Sequence, residues 1–202
     1  YAASDAFAYV LINSNLATGT LPSVKQSDIG TLTAMEGASI FAPGFSVAVL
    51  GDSHSEACTI IESLNPTTRG HWANGHLFWF LAHAGFRPGR VFNFGVGGEN
   101  TRYVLARVGS VVAARPRVCI VMAGTNNADS STMVRQARED LTAIYVALRA
   151  AGIFVIALTP TPADPGASSA TKLARFAALG QWIMEYWAGR SDGIAVDHRA
   201  AV

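Results

Sequence analysis

The chain has 202 residues, of which 50% are hydrophobic and 14% are charged, and its formal net charge is +1. These values predict one globular domain with a substantial core, and they argue against nucleic-acid binding, which needs a basic surface. No apolar run reaches the roughly 20 residues that cross a bilayer, because His83 and Gly85 interrupt the longest stretch.

The first 44 residues differ in amino-acid composition from the rest of the chain. Serine, threonine, asparagine and glycine are frequent there, and residues 13–15 and 18–22 break the segment into short pieces. We expect residues 1–44 to be an N-terminal extension or the end of an upstream domain. The main domain is then expected to span residues 45–202.

The first predicted strand runs into a serine. Residues 47–50 are apolar, Gly51-Asp52-Ser53 follows, and a helix-like stretch comes next. A serine at the break between a buried strand and a helix lies at the rim of the sheet, where helix amides can stabilise an anion. Taken alone, a Gly-Asp-Ser sequence is more often a turn and helix N-cap than a nucleophile.

Two further predicted strands also end in small or polar residues. Residues 91–94 run into a glycine-rich turn that contains Gly98, and residues 118–123 run into a turn that contains Asn126. Ligands bind at the carboxyl ends of the strands in an open parallel sheet. We therefore expect Ser53, Gly98 and Asn126 to meet in one crevice, where they offer a hydroxyl, a backbone N–H and a carboxamide N–H.

The remaining elements alternate between helix and strand. Helices are predicted at residues 71–84, 101–108, 110–114, 131–151 and from Ser168 or Ser169 to Trp187, and strands at residues 153–158 and 193–197. This alternation predicts a parallel sheet with helices on both faces. The proline-rich loop at residues 159–166 leaves the sheet at the edge of the crevice and is a candidate for substrate contact.

Over roughly residues 45–200, judged against a typical α/β domain length, the sequence resembles the SGNH (GDSL-like) hydrolase superfamily. Ser53 matches the nucleophile block, Gly98 the glycine of the second block, and Asn126 the asparagine of the third, with Asn127 in place of the usual aspartate. The family more often has leucine where this chain has His54.

The resemblance implies a fold and a chemistry. The fold would be a three-layer α/β/α arrangement around a flavodoxin-like parallel sheet of about five strands. The chain would be a serine esterase that needs no cofactor or metal and acts on short acyl or carbohydrate O-acetyl esters. Ser53 would attack, and the N–H groups of Ser53, Gly98 and the Asn126 side chain would hold the oxyanion.

The fourth block of that family, Asp-x-x-His, is not found in its usual form. Asp197 and His198 are adjacent, and Asp192 is followed three residues later by Ala195. Neighbouring side chains on an extended strand project to opposite faces, which disfavours the usual aspartate–imidazole contact. Three explanations stay open: the chain lacks that C-terminal segment, His198 has been recruited as the base beside Asp197, or catalysis is impaired.

Two function classes compete with the esterase. A non-catalytic module that binds a glycan or a protein partner would keep the fold and crevice without the acid–base machinery. A flavodoxin-like nucleotide binder is the weaker rival, because residues 95–98 resemble a phosphate cradle but lack the full Gly-x-Gly-x-x-Gly pattern.

Histidine and cysteine spacing favours neither a metal site nor a disulfide. His71, His76 and His83 are separated by five and seven residues, whereas helical ligand pairs need three or four. Cys58 and Cys119 are predicted to be buried free thiols, and no nearby histidine would activate Cys58 as an alternative nucleophile.

Overall fold

A computed structural model describes residues 45–56, 58, 76–77, 89–128, 130–161 and 168–197. The strands are β1 (Ser46–Gly51), β2 (Arg90–Gly95), β3 (Val118–Met122), β4 (Phe154–Leu158) and β5 (Gly193–Val196). The helices are α1 (Ser53–Glu56), α2 (Thr101–Ala106), α3 (Val108–Ala114), α4 (Ser131–Ala150) and α5 (Ala170–Trp187).

The five strands form one parallel sheet in the order β2-β1-β3-β4-β5. This is the flavodoxin-like order, in which the chain winds first towards one edge and then towards the other. The order reverses at β1, so the crevice above its carboxyl end lies between β2 and β3. The predicted α/β fold with a parallel sheet of about five strands is confirmed.

The strands are apolar because both faces of the sheet are covered. On β1, residues 47–50 are all fully buried. Ala48 and Leu50 face a core that α2, α3, α4 and α5 close, whereas Val47 and Val49 face a second core that includes Cys58 and Leu77. Continuous apolar runs in the sequence therefore mark strands that pack on both sides.

Side-chain caps fix where the long helices begin. The Ser130 side chain accepts a hydrogen bond from the backbone N–H of Met133, and the Ser169 side chain accepts one from Lys172. Each cap satisfies one of the free N–H groups at a helix start. The prediction that the last helix begins at Ser168 or Ser169 is confirmed.

Several predictions lie partly or wholly outside the described residues. These are the segment 1–44, most of the helix at 71–84, most of the proline-rich loop and His198. The division into an N-terminal segment and a domain at 45–202 stays a prediction. In the described part of the chain, no helix is both long and apolar enough to span a membrane.

Candidate active site

The end of β1 presents Ser53 through a short capped helix. The Asp52 carbonyl accepts hydrogen bonds from the backbone N–H groups of Ser55 at 3.0 Å and Glu56 at 2.9 Å. Its carboxylate Oδ1 accepts from the N–H of His54 at 3.1 Å. Asp52 is fully buried and Ser53 is exposed, so the helix begins with an exposed serine directly after the carboxyl end of β1.

Strand β2 holds this helix against the sheet. A Cβ at Gly95 would lie 2.1 Å from the backbone N of Glu56, so only glycine lets α1 pack this closely. The Asn93 side chain donates to the Ser55 carbonyl at 3.0 Å and accepts from the N–H of Gly95 at 2.8 Å. The Asn93 side chain thus caps the carboxyl end of α1 by donating to one of its free carbonyl groups, and it fixes the turn that follows β2.

The segment after β2, residues 96–100, is here called the glycine loop. A Cβ at Gly97 would lie 3.8 Å from the Cβ of Ser53, so the loop runs alongside the serine. Gly98 is exposed and has a φ of +76°, a conformation that favours glycine. Among the described residues, neither the Ser53 N–H nor the Gly98 N–H donates a hydrogen bond.

Asn126 reaches the glycine loop from the next strand. It lies on a 3₁₀ turn, Thr125–Asn127, directly after β3. Its Nδ2 donates to the carbonyl oxygen of Glu99, the residue after Gly98, at 2.8 Å. A carboxamide carries two N–H groups, so one can fix the orientation of the side chain while the other serves a ligand.

Asn127, which replaces the usual aspartate of the third block, has a structural role. Its Oδ1 accepts from the backbone N–H of Thr101 at 3.0 Å, as an aspartate would. Its Nδ2 also donates to the Thr101 hydroxyl at 3.0 Å and to the Met133 carbonyl at 3.2 Å. The substitution therefore preserves the acceptor at the start of α2 and adds a link to α4.

Sequence reasoning missed an ion pair between Arg107 and Glu99, a residue of the glycine loop. Arg107 pairs with the Glu99 carboxylate and donates to the carbonyl oxygens of Gly51 at 3.1 Å and Phe94 at 3.3 Å. The only sequence signal for this pair is that Glu99, next to Gly98, and Arg107, at the end of the following helix, carry opposite charges.

The residues predicted as base and orienting carboxylate are His198 and Asp197. Asp197 follows β5, and its Oδ1 accepts from the Thr159 hydroxyl at 3.1 Å. His198 lies outside the described residues. Close to the serine, the Nδ1 of His54 lies 3.1 Å from Oδ1 of Asp52. An imidazole held by a buried aspartate is thus adjacent in sequence to Ser53.

Both cysteines are buried and free, as predicted. Burial raises the pKa of the Cys58 thiol to about 11, and burial also raises the pKa of Cys119. A thiol that stays protonated at neutral pH is a poor nucleophile. Within the described ranges, no three histidine, cysteine or acidic side chains cluster in a way that would hold a metal ion.

A sequence model of the GDSL-like Lipase/Acylhydrolase family matches residues 49–201. That match covers the Ser53 turn, the glycine loop, the Asn126 turn and the end of β5. The chain belongs to the GDSL-like family. A search of curated proteins found no match.

Solved structures with the same fold include esterases of the SGNH type. AlinE4, an SGNH-hydrolase family esterase, is 20% identical, with a TM-score of 0.55 over 77% of this chain and 76% of its own. A variant of Axe2, an acetyl-xylooligosaccharide esterase from Geobacillus, is 18% identical, with a TM-score of 0.59 over 78% and 77%.

The acetyl xylan esterase AlAXEase is 15% identical to this GDSL-like protein, with a TM-score of 0.53 over 77% of this chain and 78% of its own. At these identities, the likeness establishes the α/β fold that the GDSL-like family shares. The assignment of roles to individual residues therefore depends on the geometry described above.

Proposed function

We propose that this GDSL-like protein is a serine esterase that hydrolyses carboxylic esters through an acyl-enzyme on Ser53. The observation that best supports this proposal is that an exposed serine at a helix start lies beside the glycine loop. The Asn126 carboxamide donates a hydrogen bond to the same loop. A nucleophile and oxyanion donors on neighbouring strand ends are the parts that acyl transfer needs.

In the proposed reaction, the Ser53 oxygen attacks the ester carbonyl and its proton passes to a base. The carbonyl oxygen becomes an oxyanion that accepts from the N–H groups of Ser53 and Gly98 and from Nδ2 of Asn126. The intermediate collapses, the ester C–O bond breaks, and the base returns the proton to the leaving alcohol. Water then attacks the acyl-serine by the same route, releasing the acid and restoring Ser53.

The proposed base is His198, which directly follows Asp197 at the carboxyl end of β5. A second candidate is His54, because its Nδ1 contacts the buried Asp52 and leaves Nε2 for proton transfer. A base is needed in either case, since a serine hydroxyl at its ordinary pKa is a weak nucleophile.

The proposed substrates carry small acyl groups, either on a short alcohol or as O-acetyl groups on a carbohydrate. Two proteins that share the fold are an acetyl-xylooligosaccharide esterase and an acetyl xylan esterase, and these names favour acetylated xylooligosaccharides as the first natural substrates to try.

The test compares hydrolysis of p-nitrophenyl acetate and p-nitrophenyl butyrate by the unaltered chain and by Ser53→Ala. We expect turnover that Ser53→Ala abolishes. Equal turnover in both proteins would overturn the nucleophile assignment. No turnover above the uncatalysed rate with either ester or with acetylated xylooligosaccharide, by this chain and by a chain extended beyond Val202, would overturn the esterase and favour a non-catalytic binding module.

A second pair of variants identifies the base. His198→Asn is expected to lower kcat by more than about a thousandfold, because loss of a triad base leaves mainly binding and oxyanion stabilisation. His54→Asn, with Asp52 unchanged, is expected to have a much smaller effect. The reverse pattern would assign proton transfer to His54.

A further inference from the structure

Glu99 occupies a connecting position in the candidate site. Its backbone carbonyl accepts the hydrogen bond from Asn126, and its side-chain carboxylate pairs with Arg107. It also directly follows Gly98, one of the proposed oxyanion donors. One residue therefore touches the carboxamide donor, adjoins the backbone donor and is itself held by a cation.

Arg107 connects this residue to the ends of two strands. Its Nη2 donates to the Gly51 carbonyl at 3.1 Å, and its Nε donates to the Phe94 carbonyl at 3.3 Å. Its Nη1 donates to Glu99 and also to the Tyr103 carbonyl at 3.3 Å. Lysine has no planar fork of donors and cannot reproduce this set of contacts.

The glycine loop is fastened at both ends as well. The Val96 N–H donates to the same Gly51 carbonyl at 3.1 Å, and the Asn100 side chain accepts from the N–H of Arg102 at the start of α2. Gly51 is the last residue of β1, two positions before Ser53. The loop, the nucleophile turn and the Asn126 turn are thus joined through Glu99 and Arg107.

We propose that Glu99 and Arg107 are a positioning pair that holds the oxyanion donors of the glycine loop and of Asn126 in register with Ser53. The inference rests on the proposed esterase function. Donors fixed before the substrate binds need no reorganisation in the transition state, where their hydrogen bonds have the largest effect on rate. The pair would therefore act on kcat without touching the substrate.

The Arg107–Glu99 pair is partly buried, so its loss should have a measurable effect. The side chains of Arg107 and Glu99 are only 23% and 24% exposed. Removing one partner leaves the other charge partly buried without its counter-ion, which costs more than loss of a surface pair. The glycine loop is expected to shift in response, and a displacement of about 1 Å at a reacting centre can lower the rate a hundredfold.

A second ion pair in the same chain provides a matched control. Arg149 on α4 pairs with Asp192 before β5, with an Nε–Oδ2 distance of 2.5 Å and side-chain exposures of 26% and 44%. This pair lies beside Phe154, at the amino edge of the sheet. Breaking it tests loss of an arginine–carboxylate pair without disturbing the crevice.

The experiment measures kcat, KM and Tm for p-nitrophenyl acetate with the full chain and with Arg107→Met, Arg107→Lys, Glu99→Gln and Arg149→Met. We expect Arg107→Met to lower kcat about a hundredfold and Glu99→Gln about tenfold, while KM changes little, as loss of a transition-state interaction requires. Arg107→Lys should fall between wild type and Arg107→Met. Arg149→Met should lower Tm and leave kcat unchanged.

A double-mutant cycle separates positioning from simple loss of stability. The rate loss caused by Glu99→Gln should be smaller in an Asn126→Ala background than in the wild-type background, because both changes affect the same donors. The milder Glu99→Gln keeps the backbone carbonyl that holds Asn126, so it tests the proposal even if Arg107→Met fails to fold.

The possible failures are distinguishable. Ser53-dependent hydrolysis that is unchanged in Glu99→Gln and Arg107→Lys would overturn the positioning pair and leave the esterase intact. The same would follow if Arg149→Met lowered kcat as much as Glu99→Gln, or if the effects of Glu99→Gln and Asn126→Ala were additive. Hydrolysis that does not depend on Ser53 would overturn the esterase and the positioning pair together.

Discussion

The carboxyl and amino edges of the sheet both carry arginine–carboxylate pairs, but the pairs have different surroundings. At the carboxyl edge, Arg107 pairs with the Glu99 carboxylate of the glycine loop and donates to the carbonyl oxygens of Gly51 and Phe94 at the strand ends. At the amino edge, Arg149 and Asp192 lie beside an open cavity of about 900 Å³. A hydrogen bond to Asp192 raises the pKa of Arg149 above its ordinary value.

The two edges also differ in the types of side chain that they present. The amino-edge cavity contains arginines and an aspartate, and it has no serine, histidine or asparagine among its lining residues. The described part of the carboxyl edge carries the exposed Ser53, the exposed Gly98 and the Asn126 carboxamide. The sheet topology accounts for this difference between the edges. The direction in which strands are added changes at β1, and in such sheets the crevice for ligands lies at the carboxyl ends of the strands beside that point.

The largest effect among the following predictions is expected from a change at the carboxyl edge. Asn126→Ala removes one proposed oxyanion donor and should lower kcat about a hundredfold to a thousandfold with little change in KM. Steady-state hydrolysis of p-nitrophenyl acetate measures this. The control, Gln181→Ala, removes an exposed carboxamide on α5 that bonds to Glu185, and it should leave kcat unchanged. Near-wild-type turnover in Asn126→Ala would contradict the oxyanion assignment.

A smaller effect is expected from a change in backbone packing. Gly95→Ala would place a Cβ 2.1 Å from the backbone N of Glu56, so α1 must move. We expect a loss of about 1–3 kcal/mol in the free energy of unfolding, together with a lower kcat because Ser53 moves with the helix. Urea denaturation and ester hydrolysis measure the two effects.

The matched control for that change is a glycine in a helix. A Cβ at Gly109, within α3, would have no atom within 4 Å from the described residues outside its own helix turn. Gly109→Ala is therefore expected to stabilise the chain by about 0.5–1 kcal/mol and to leave kcat unchanged. If Gly95→Ala behaved in the same way as Gly109→Ala, the close packing of α1 against β2 would be refuted.

The smallest expected effect concerns the buried thiol near α1. Burial raises the pKa of the Cys58 thiol from its ordinary value of 9.0 to about 11. Between these values the folded state keeps a proton that the unfolded state loses, so stability falls as the pH rises from about 9 to 11 and is unaffected below that range. From pH 8 to pH 10, wild type should lose about 1 kcal/mol more than Cys58→Ala, as measured by urea denaturation. Equal losses would place Cys58 in contact with solvent.

Most of the fold could be predicted from sequence because its signals are local. The apolar runs of β1, β3 and β4 are continuous, as expected for strands buried on both faces. Ser169 and Gly152 mark a helix start and a helix end through capping chemistry that depends on neighbouring residues alone.

The parts that were missed depend on contacts between distant residues. Arg107 meets Gly51 across a separation of 56 residues, and no periodicity or turn signal predicts that contact. Asn127 was recognised as a departure from the family pattern, but its bonds to α2 and α4 depend on how those helices pack. The contact between His54 and Asp52 depends on a side-chain rotamer. The predicted roles of Ser53, Gly98, Asn126, Asp197 and His198 stay predictions.

The most direct test of the central claim is covalent labelling of the full chain with an alkyl fluorophosphonate, followed by peptide mass spectrometry. An activated serine displaces fluoride, forming a bond between its oxygen and phosphorus while the P–F bond breaks and the proton passes to the base. We predict one adduct, on Ser53, that is absent from Ser53→Ala and slower to form in Asn126→Ala. No adduct, or an adduct at another residue, would contradict a serine esterase at the carboxyl edge of this sheet.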